Sequence, residues 1–373
     1  MRHNVLYIFV IVASLCCKGF VTHADNTLLR KPNLKVLDIG NSYTGDATAL
    51  LPLIAKASGA DLSDMCLYKA IRGGGSFKNW YDIYHDNDNY TYSISKVLGG
   101  LKASVTTGTG NANDGTLFRE ALQKEKWDII IIHQVSTYAP YYDEWRTSNA
   151  GGYLNELIAL IKELQPQAAI GFLLIHSYWD EYKSNKEHSS YERWKLIANS
   201  VKRLSEDYHI QLIIPYGTAV ENLRSSSLNN EYDLTRDGTH CDMGLCRYTA
   251  ACCYYESLIA PRSGISVLGN TARYDASGAT TTYPAVTVTD DNAPIAQAAA
   301  VLAVKEKYTC LNPEKYLLDG NEIEDDRNDG SSQDNDARIF DAKGCRITKL
   351  QKGVNIIEHG NGNTVKFIST LHQ

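Results

Sequence analysis

Three residues of this sequence have the types that acyl transfer needs: Ser42, Asp237 and His240. Ser42 lies in Val36-Leu37-Asp38-Ile39-Gly40-Asn41-Ser42-Tyr43-Thr44, where an apolar run ends in glycine and a helical pattern begins. A serine at that junction sits at the carboxyl end of a strand, where open α/β sheets place ligands. It also sits at a helix N-terminus, whose unpaired N–H groups and dipole favour developing negative charge. Taken alone, Ser42 reads rather as a helix N-cap. Thr235-Arg236-Asp237-Gly238-Thr239-His240 supplies the complement. An aspartate and a histidine three positions apart on a loop reach each other directly. The carboxylate then fixes the imidazole tautomer and stabilises its charged form. Such a histidine takes a serine proton and returns it to a leaving alcohol. Taken alone, this pair reads as a loop histidine beside a capping aspartate.

Residues so distant in the chain need a scaffold that brings them together. From position 34 to 309, short apolar runs alternate with amphipathic helices, the pattern of an α/β protein: a three-layer α/β/α sandwich with a central parallel sheet. Strands are expected at 34–39, 127–132, 169–175 and 210–214, with a weaker one at 65–70. Their density of Ile, Leu and Val suits parallel strands buried on both faces. Helices are expected at 44–58, 115–123, 152–164, 189–206, 244–259 and 293–307. The Thr/Gly/Ala-rich stretch 262–286 reads as a surface loop or small hairpin. No internal repeat is present.

The ends of the chain have a different character. Arg2, an apolar run over 5–16 and the small residues Thr22 and Ala24 read as a signal peptide over 1–24. The run is too short to span a bilayer comfortably. Lipid attachment through Cys16 or Cys17 is the alternative, and the bulky Leu15 disfavours it. Loss of 1–24 leaves 35 Lys and Arg against 43 Asp and Glu, a net charge of −8. An acidic exported chain is a poor partner for nucleic acid or an anionic membrane. Seven cysteines remain: Cys66, Cys241, Cys246, Cys252, Cys253, Cys310 and Cys345. Export allows some of them to oxidise. Their number is odd and their spacing fits no zinc site. Cys252 and Cys253, in an apolar helical stretch, read as buried thiols. No metal or cofactor motif is present.

The main domain is expected over 25–312 and an acidic linker over 313–337. A short β tail follows over 338–373, with strands at 338–340, 344–350, 354–357 and 364–368. A calcium loop at 325–336 is rejected, because Arg327 occupies a ligand position and no helices flank it. The tail resembles C-terminal segments of enzymes exported by Gram-negative bacteria. That likeness implies a secreted, periplasmic or cell-surface location and a sorting role; a plain β appendage is the alternative.

Gly40-Asn41-Ser42 near the start of the domain and Asp237-x-x-His240 near its end resemble the SGNH/GDSL-like hydrolase superfamily. More closely, they resemble its DUF4886-like branch of secreted hydrolases, which carries Gly-Asn-Ser-Phe or Gly-Asn-Ser-Tyr. Gly73-Gly74-Gly75-Ser76-Phe77-Lys78-Asn79-Trp80 is similar to the superfamily's second block. Ile132-His133-Gln134-Val135-Ser136 is similar to the third, with Gln134 where the superfamily has Asn. The resemblance covers about residues 34–309. It implies a flavodoxin-like sheet, Ser42 as nucleophile, His240 as base and Asp237 as its partner. It also implies an oxyanion hole made by the N–H of Ser42, the N–H of Gly74 or Gly75, and the Gln134 amide, which must fold back to reach. Nucleophile first and Asp/His last distinguishes this order from the α/β-hydrolases, whose G-x-S-x-G elbow is absent.

The sequence holds 24 Tyr and 5 Trp, many just beyond strand ends. Tyr43, Trp80, Tyr138, His176 and Trp179 are the residues expected to line a pocket. Flat amphipathic rings suit a sugar, although rings also serve simply to cover loops. His133 reads either as a pocket residue or as a satisfied core histidine. With export, these features favour an esterase that removes acetyl groups from a glycan. The alternatives are a lipid or aryl esterase of the same fold, and a non-catalytic glycan-binding surface protein.

Overall fold

The computed structural model describes residues 26–111, 113–182 and 188–318, and the strands within 338–369. The expected signal peptide at 1–24 lies outside the described residues. Strand β1 (Leu34–Gly40) is buried along almost its whole length, as its apolar sequence demands. It pairs in parallel with β2 (Met65–Arg72), which sets Gly40 opposite Ile71. Strands β3 (Tyr92–Leu98) and β4 (Gly108–Gly110) extend that edge antiparallel. On the other side, β5 (Ile129–Ile132), β6 (Ala169–Leu173) and β7 (Leu212–Ile214) follow in parallel. The sheet order is β4-β3-β2-β1-β5-β6-β7. The expected parallel sheet is therefore five of its seven strands, β2-β1-β5-β6-β7, with two antiparallel strands added at one edge. Those two escape an apolar-run reading because Tyr92–Leu98 alternates buried and partly exposed residues and Gly108–Gly110 is short and nearly bare.

Helices cover the sheet. The first part of the chain contributes α1 (Asn26–Leu29), α2 (Ser42–Ala49), α3 (Leu51–Ser58) and α4 (Phe77–Tyr84). The middle contributes α5 (Thr116–Gln123), α6 (Leu154–Leu164), α7 (Ser190–Tyr208) and α8 (Tyr216–Arg224). Helices α9 (Leu245–Leu258), α10 (Ala260–Ser263), α11 (Ala293–Lys305) and α12 (Pro313–Leu318) complete the set. Helices α2, α3, α8 and α11 gather around α9, while α4, α5 and α6 form a second group. The helix expected at 44–58 is two helices, because Pro52 belongs in a first turn and opens α3 after Leu50. Residues 313–318, assigned by composition to the linker, form α12, which buries Pro313, Tyr316 and Leu317 and packs on α11. The rest of the expected linker lies outside the described residues.

In the tail, β8 (Arg338–Asp341), β9 (Arg346–Ile347), β10 (Gly353–Glu358) and β11 (Thr364–Ser369) form an antiparallel sheet in the order β11-β10-β8-β9. Among the described residues, no helix is long and apolar enough to cross a membrane.

Candidate active site

Ser42 is the first residue of α2, directly after β1. Asn41 makes the turn between them. Its side chain accepts the Tyr43 N–H at 3.0 Å, capping the helix, and donates to Gly75 O at 2.9 Å. One asparagine thus orders the helix start and ties the glycine loop to it. Ser42 remains partly exposed, while Asn41 and Tyr43 are buried.

Ser42 Oγ lies 2.8 Å from His240 Nε2, and His240 Nδ1 lies 2.7 Å from Asp237 Oδ2. The second oxygen of Asp237 accepts the Thr239 N–H at 3.0 Å, the His240 N–H at 2.9 Å and the Thr239 hydroxyl at 2.9 Å. Partial burial works to raise the Asp237 carboxyl. The hydrogen bonds from His240 and Thr239 outweigh it and hold the group well below the usual carboxylate range. An ionised Asp237 keeps the imidazole proton on Nδ1, so the Nε2 lone pair faces the serine hydroxyl.

Several contacts strap this loop to the helix that Ser42 begins. Asp46, one turn beyond Ser42 in α2, is buried between two arginines. Arg236 Nη1 donates to its carboxylate at 2.8 and 2.9 Å and Arg247 Nε at 2.9 Å. The Tyr43 hydroxyl donates to Thr239 O at 2.7 Å, beside the histidine. The Arg236 N–H donates to His240 O at 3.0 Å, closing the loop on itself. A disulfide joins Cys241 to Cys246 in the first turn of α9. The sequence reading missed Asp46, Arg236 and Arg247, since charges that distant in the chain give no local sign that they meet.

Of the expected oxyanion donors, the Ser42 and Gly74 N–H groups have no acceptor among the described residues, and Gly74 takes a positive φ of 60° in an exposed turn. The other two expectations are corrected. The Gly75 N–H donates to Arg72 O at 2.9 Å and closes that turn. The Gln134 amide is buried, donates to Gly151 O at 2.8 Å and accepts the Val135 N–H at 2.9 Å. It braces the next loop.

Three expected pocket residues are likewise corrected, because protein covers them. Tyr43 is 2% exposed and packs on His176 and His240. Trp80 is 1% exposed and donates to Gly40 O at 3.1 Å. His176 is 0% exposed; burial holds its imidazole well below its ordinary value, and it pairs through Nδ1 with Ser177 O. Tyr138 does line a cleft, of about 270 Å³, with Gly74, Lys78, Asp82, Thr137 and Ala150. Trp179 is partly exposed and packs with Tyr283, which stacks on Tyr232. The Trp179 N–H donates to Gly238 O beside Asp237. A larger, mostly apolar cavity lies at the amino ends of β6 and β7, the end of the sheet opposite that of Ser42.

His133 is a core residue. Burial depresses its imidazole to about 4, so the ring is neutral. Its Nε2 accepts the Asn41 N–H at 3.2 Å, and its Nδ1 pairs with Gln134 O at 3.0 Å. A Cβ on Gly40 would lie 2.2 Å from this Nε2, which explains the glycine at the end of β1. Among the described residues no group of His, Cys, Asp or Glu is placed to hold a metal ion.

No curated protein matches the chain. Among solved structures, it is similar to a DUF4886 family protein from Bacteroides uniformis, with 25% identity over 76% of this chain and 98% of that one and a TM-score of 0.58. Weaker likenesses include an acetyl xylan esterase, at 16% identity over 61% of this chain and 100% of that one with a TM-score of 0.38. A GDSL-like lipase from Bacteroides thetaiotaomicron matches at 13% identity over 60% of this chain and 88% of that one, with a TM-score of 0.31. Residues 35–286, well over half of the chain, match the family described as a domain of unknown function, DUF4886, and the protein belongs to that family.

Proposed function

We propose that this protein is an exported serine esterase that removes acetyl groups from a glycan. The reading rests on one observation: the Ser42–His240–Asp237 relay, with hydrogen-bond distances of 2.8 and 2.7 Å. His240 takes the Ser42 proton as Oγ attacks the ester carbonyl. The same proton passes to the leaving alcohol, and water then releases the acyl group by the same route. The N–H groups of Ser42 and Gly74 receive the oxyanion; a donor of this kind contributes roughly 3–4 kcal/mol to the transition state. The cleft beside Gly74, polar with Lys78 and Asp82 and walled by Tyr138, favours a hydroxylated leaving group over an alkyl chain. Ser42→Ala is expected to abolish hydrolysis of small acetyl esters and labelling by a fluorophosphonate while the circular dichroism spectrum stays native. Hydrolysis by that variant would remove the assignment. Acetylated oligosaccharides should be better substrates than long-chain acyl esters; the reverse preference would favour a lipid esterase.

A further inference from the structure

Beneath Ser42 runs a buried polar chain that the relay does not use. The Tyr254 hydroxyl, from α9, donates to Asp38 Oδ2 at 3.0 Å. Asp38 Oδ1 lies 3.0 Å from Thr44 Oγ1, and the same Thr44 Oγ1 lies 3.0 Å from His133 Nε2. That Nε2 accepts the N–H of Asn41, the residue immediately before Ser42. Asp38, Thr44, His133 and Tyr254 are all 0–1% exposed.

Proton counting restricts this chain. His133 Nε2 accepts an N–H, so its single ring proton sits on Nδ1, which donates to Gln134 O. Thr44 has one hydroxyl proton and two acceptor neighbours. If Asp38 were ionised, Thr44 would donate either to it or to His133, and the remaining contact would bring two lone pairs together at 3.0 Å with no proton between them. A charged His133 fails too, since Nε2–H would meet the Asn41 N–H. One arrangement puts a proton in every contact: Tyr254 donates to Asp38, the acid proton of Asp38 goes to Thr44, and Thr44 donates to His133, whose Nε2 lone pair is shared with the Asn41 N–H.

We propose that Asp38 is a neutral carboxylic acid, and that Asp38, Thr44 and His133 are positioning residues whose hydrogen-bond chain holds the Asn41–Ser42 turn. Of the groups named here around Asp38, Lys69 alone is charged, and it opposes the neutral form. From β2, Lys69 is its register partner but donates to Thr48 at 3.1 Å. From β5, the register partner is the apolar Ile131. Tyr254 from α9, Thr44 from α2 and His133 after β5 are uncharged. Burial raises the Asp38 carboxyl to about 7 against the hydrogen bonds of Tyr254 and Thr44 and the charge of Lys69. At alkaline pH the acid ionises, the Thr44 proton turns to it, and the turn loses its support.

The proposal rests on the esterase reading for its rate effects, but its proton assignment does not. Infrared difference spectra of wild type against Asp38→Asn at mildly acid pH should contain a protonated-carboxyl C=O band that fades on alkaline titration. Should Asp38→Asn not fold, the same band in wild type and its shift in Thr44→Val decide the question. Thr44→Val should lower kcat for a small acetyl ester about tenfold with little change in KM, and Thr44→Ser should restore it. Asp38→Asn, whose amide N–H replaces the acid proton, should lack the alkaline loss of kcat seen in wild type. Absence of the band, equal alkaline loss in Asp38→Asn, or no rescue by Thr44→Ser overturns the proposal. If wild type hydrolyses no ester, the esterase reading falls while the infrared band still decides the state of Asp38.

Discussion

Asp237 has most of its hydrogen-bonding capacity taken by its own loop, and this commitment sets what a substitution there does. Asp237→Asn keeps the size but loses the charge that fixes the His240 tautomer. On the proposed mechanism kcat falls by about 10⁴-fold with KM little changed, measured on a soluble acetyl ester. Asp38 acts in the opposite sense on stability. Its carboxyl is raised from 3.8 to about 7 by burial, so the folded state binds the proton more tightly than the unfolded chain. That stabilisation is complete below 3.8 and is lost as the pH rises through about 7. Asp38→Asn removes the loss, so it should raise the melting temperature at alkaline pH but not at acid pH. A shift of this size is worth on the order of 4 kcal/mol. A melting curve for Asp38→Asn that parallels wild type at every pH would contradict this.

At the scale of elements, the active turn depends on how closely β1, α2 and the residue after β5 approach. Gly40→Ala would drive a methyl group into the His133 ring and the Thr44 hydroxyl, at 2.2 and 2.3 Å. Overpacking of this kind costs typically 1–3 kcal/mol, visible as a lower urea midpoint with unchanged slope. Arg236→Met leaves Asp46 with Arg247 alone and loosens the His240 loop, so kcat should fall further than stability alone explains. The central strands and most helices are legible in the sequence because each buries a continuous apolar run or stripe. The antiparallel edge is not, since a strand half open to solvent looks like a loop. Nor is the split of α2 from α3, which turns on one proline. Ser42 and Asp237-x-x-His240 are legible because their types and order are informative. The roles of the rings are not: aromatic type alone does not tell whether Tyr43 faces a substrate or, as it does, the Thr239 carbonyl. The Asp46–Arg236 and Asp38–Thr44–His133 contacts exist only in three dimensions.

For the whole molecule, the one disulfide among the described residues sits next to the candidate base and encloses a short loop between Cys241 and Cys246. A loop of that size contributes roughly 2 kcal/mol by chain entropy. The double variant Cys241→Ser with Cys246→Ser should lose about that much in urea unfolding, and reduction of wild type should mimic it. A reduced protein with unaltered stability and rate would show the bond to be idle. Thiols stay apart in a reducing cytosol and join outside it. A freshly synthesised chain would therefore carry its histidine on an unfastened strap. On the proposed export and esterase function, hydrolytic power would mature in transit, sparing the producing cell's own esters until the protein has left them behind.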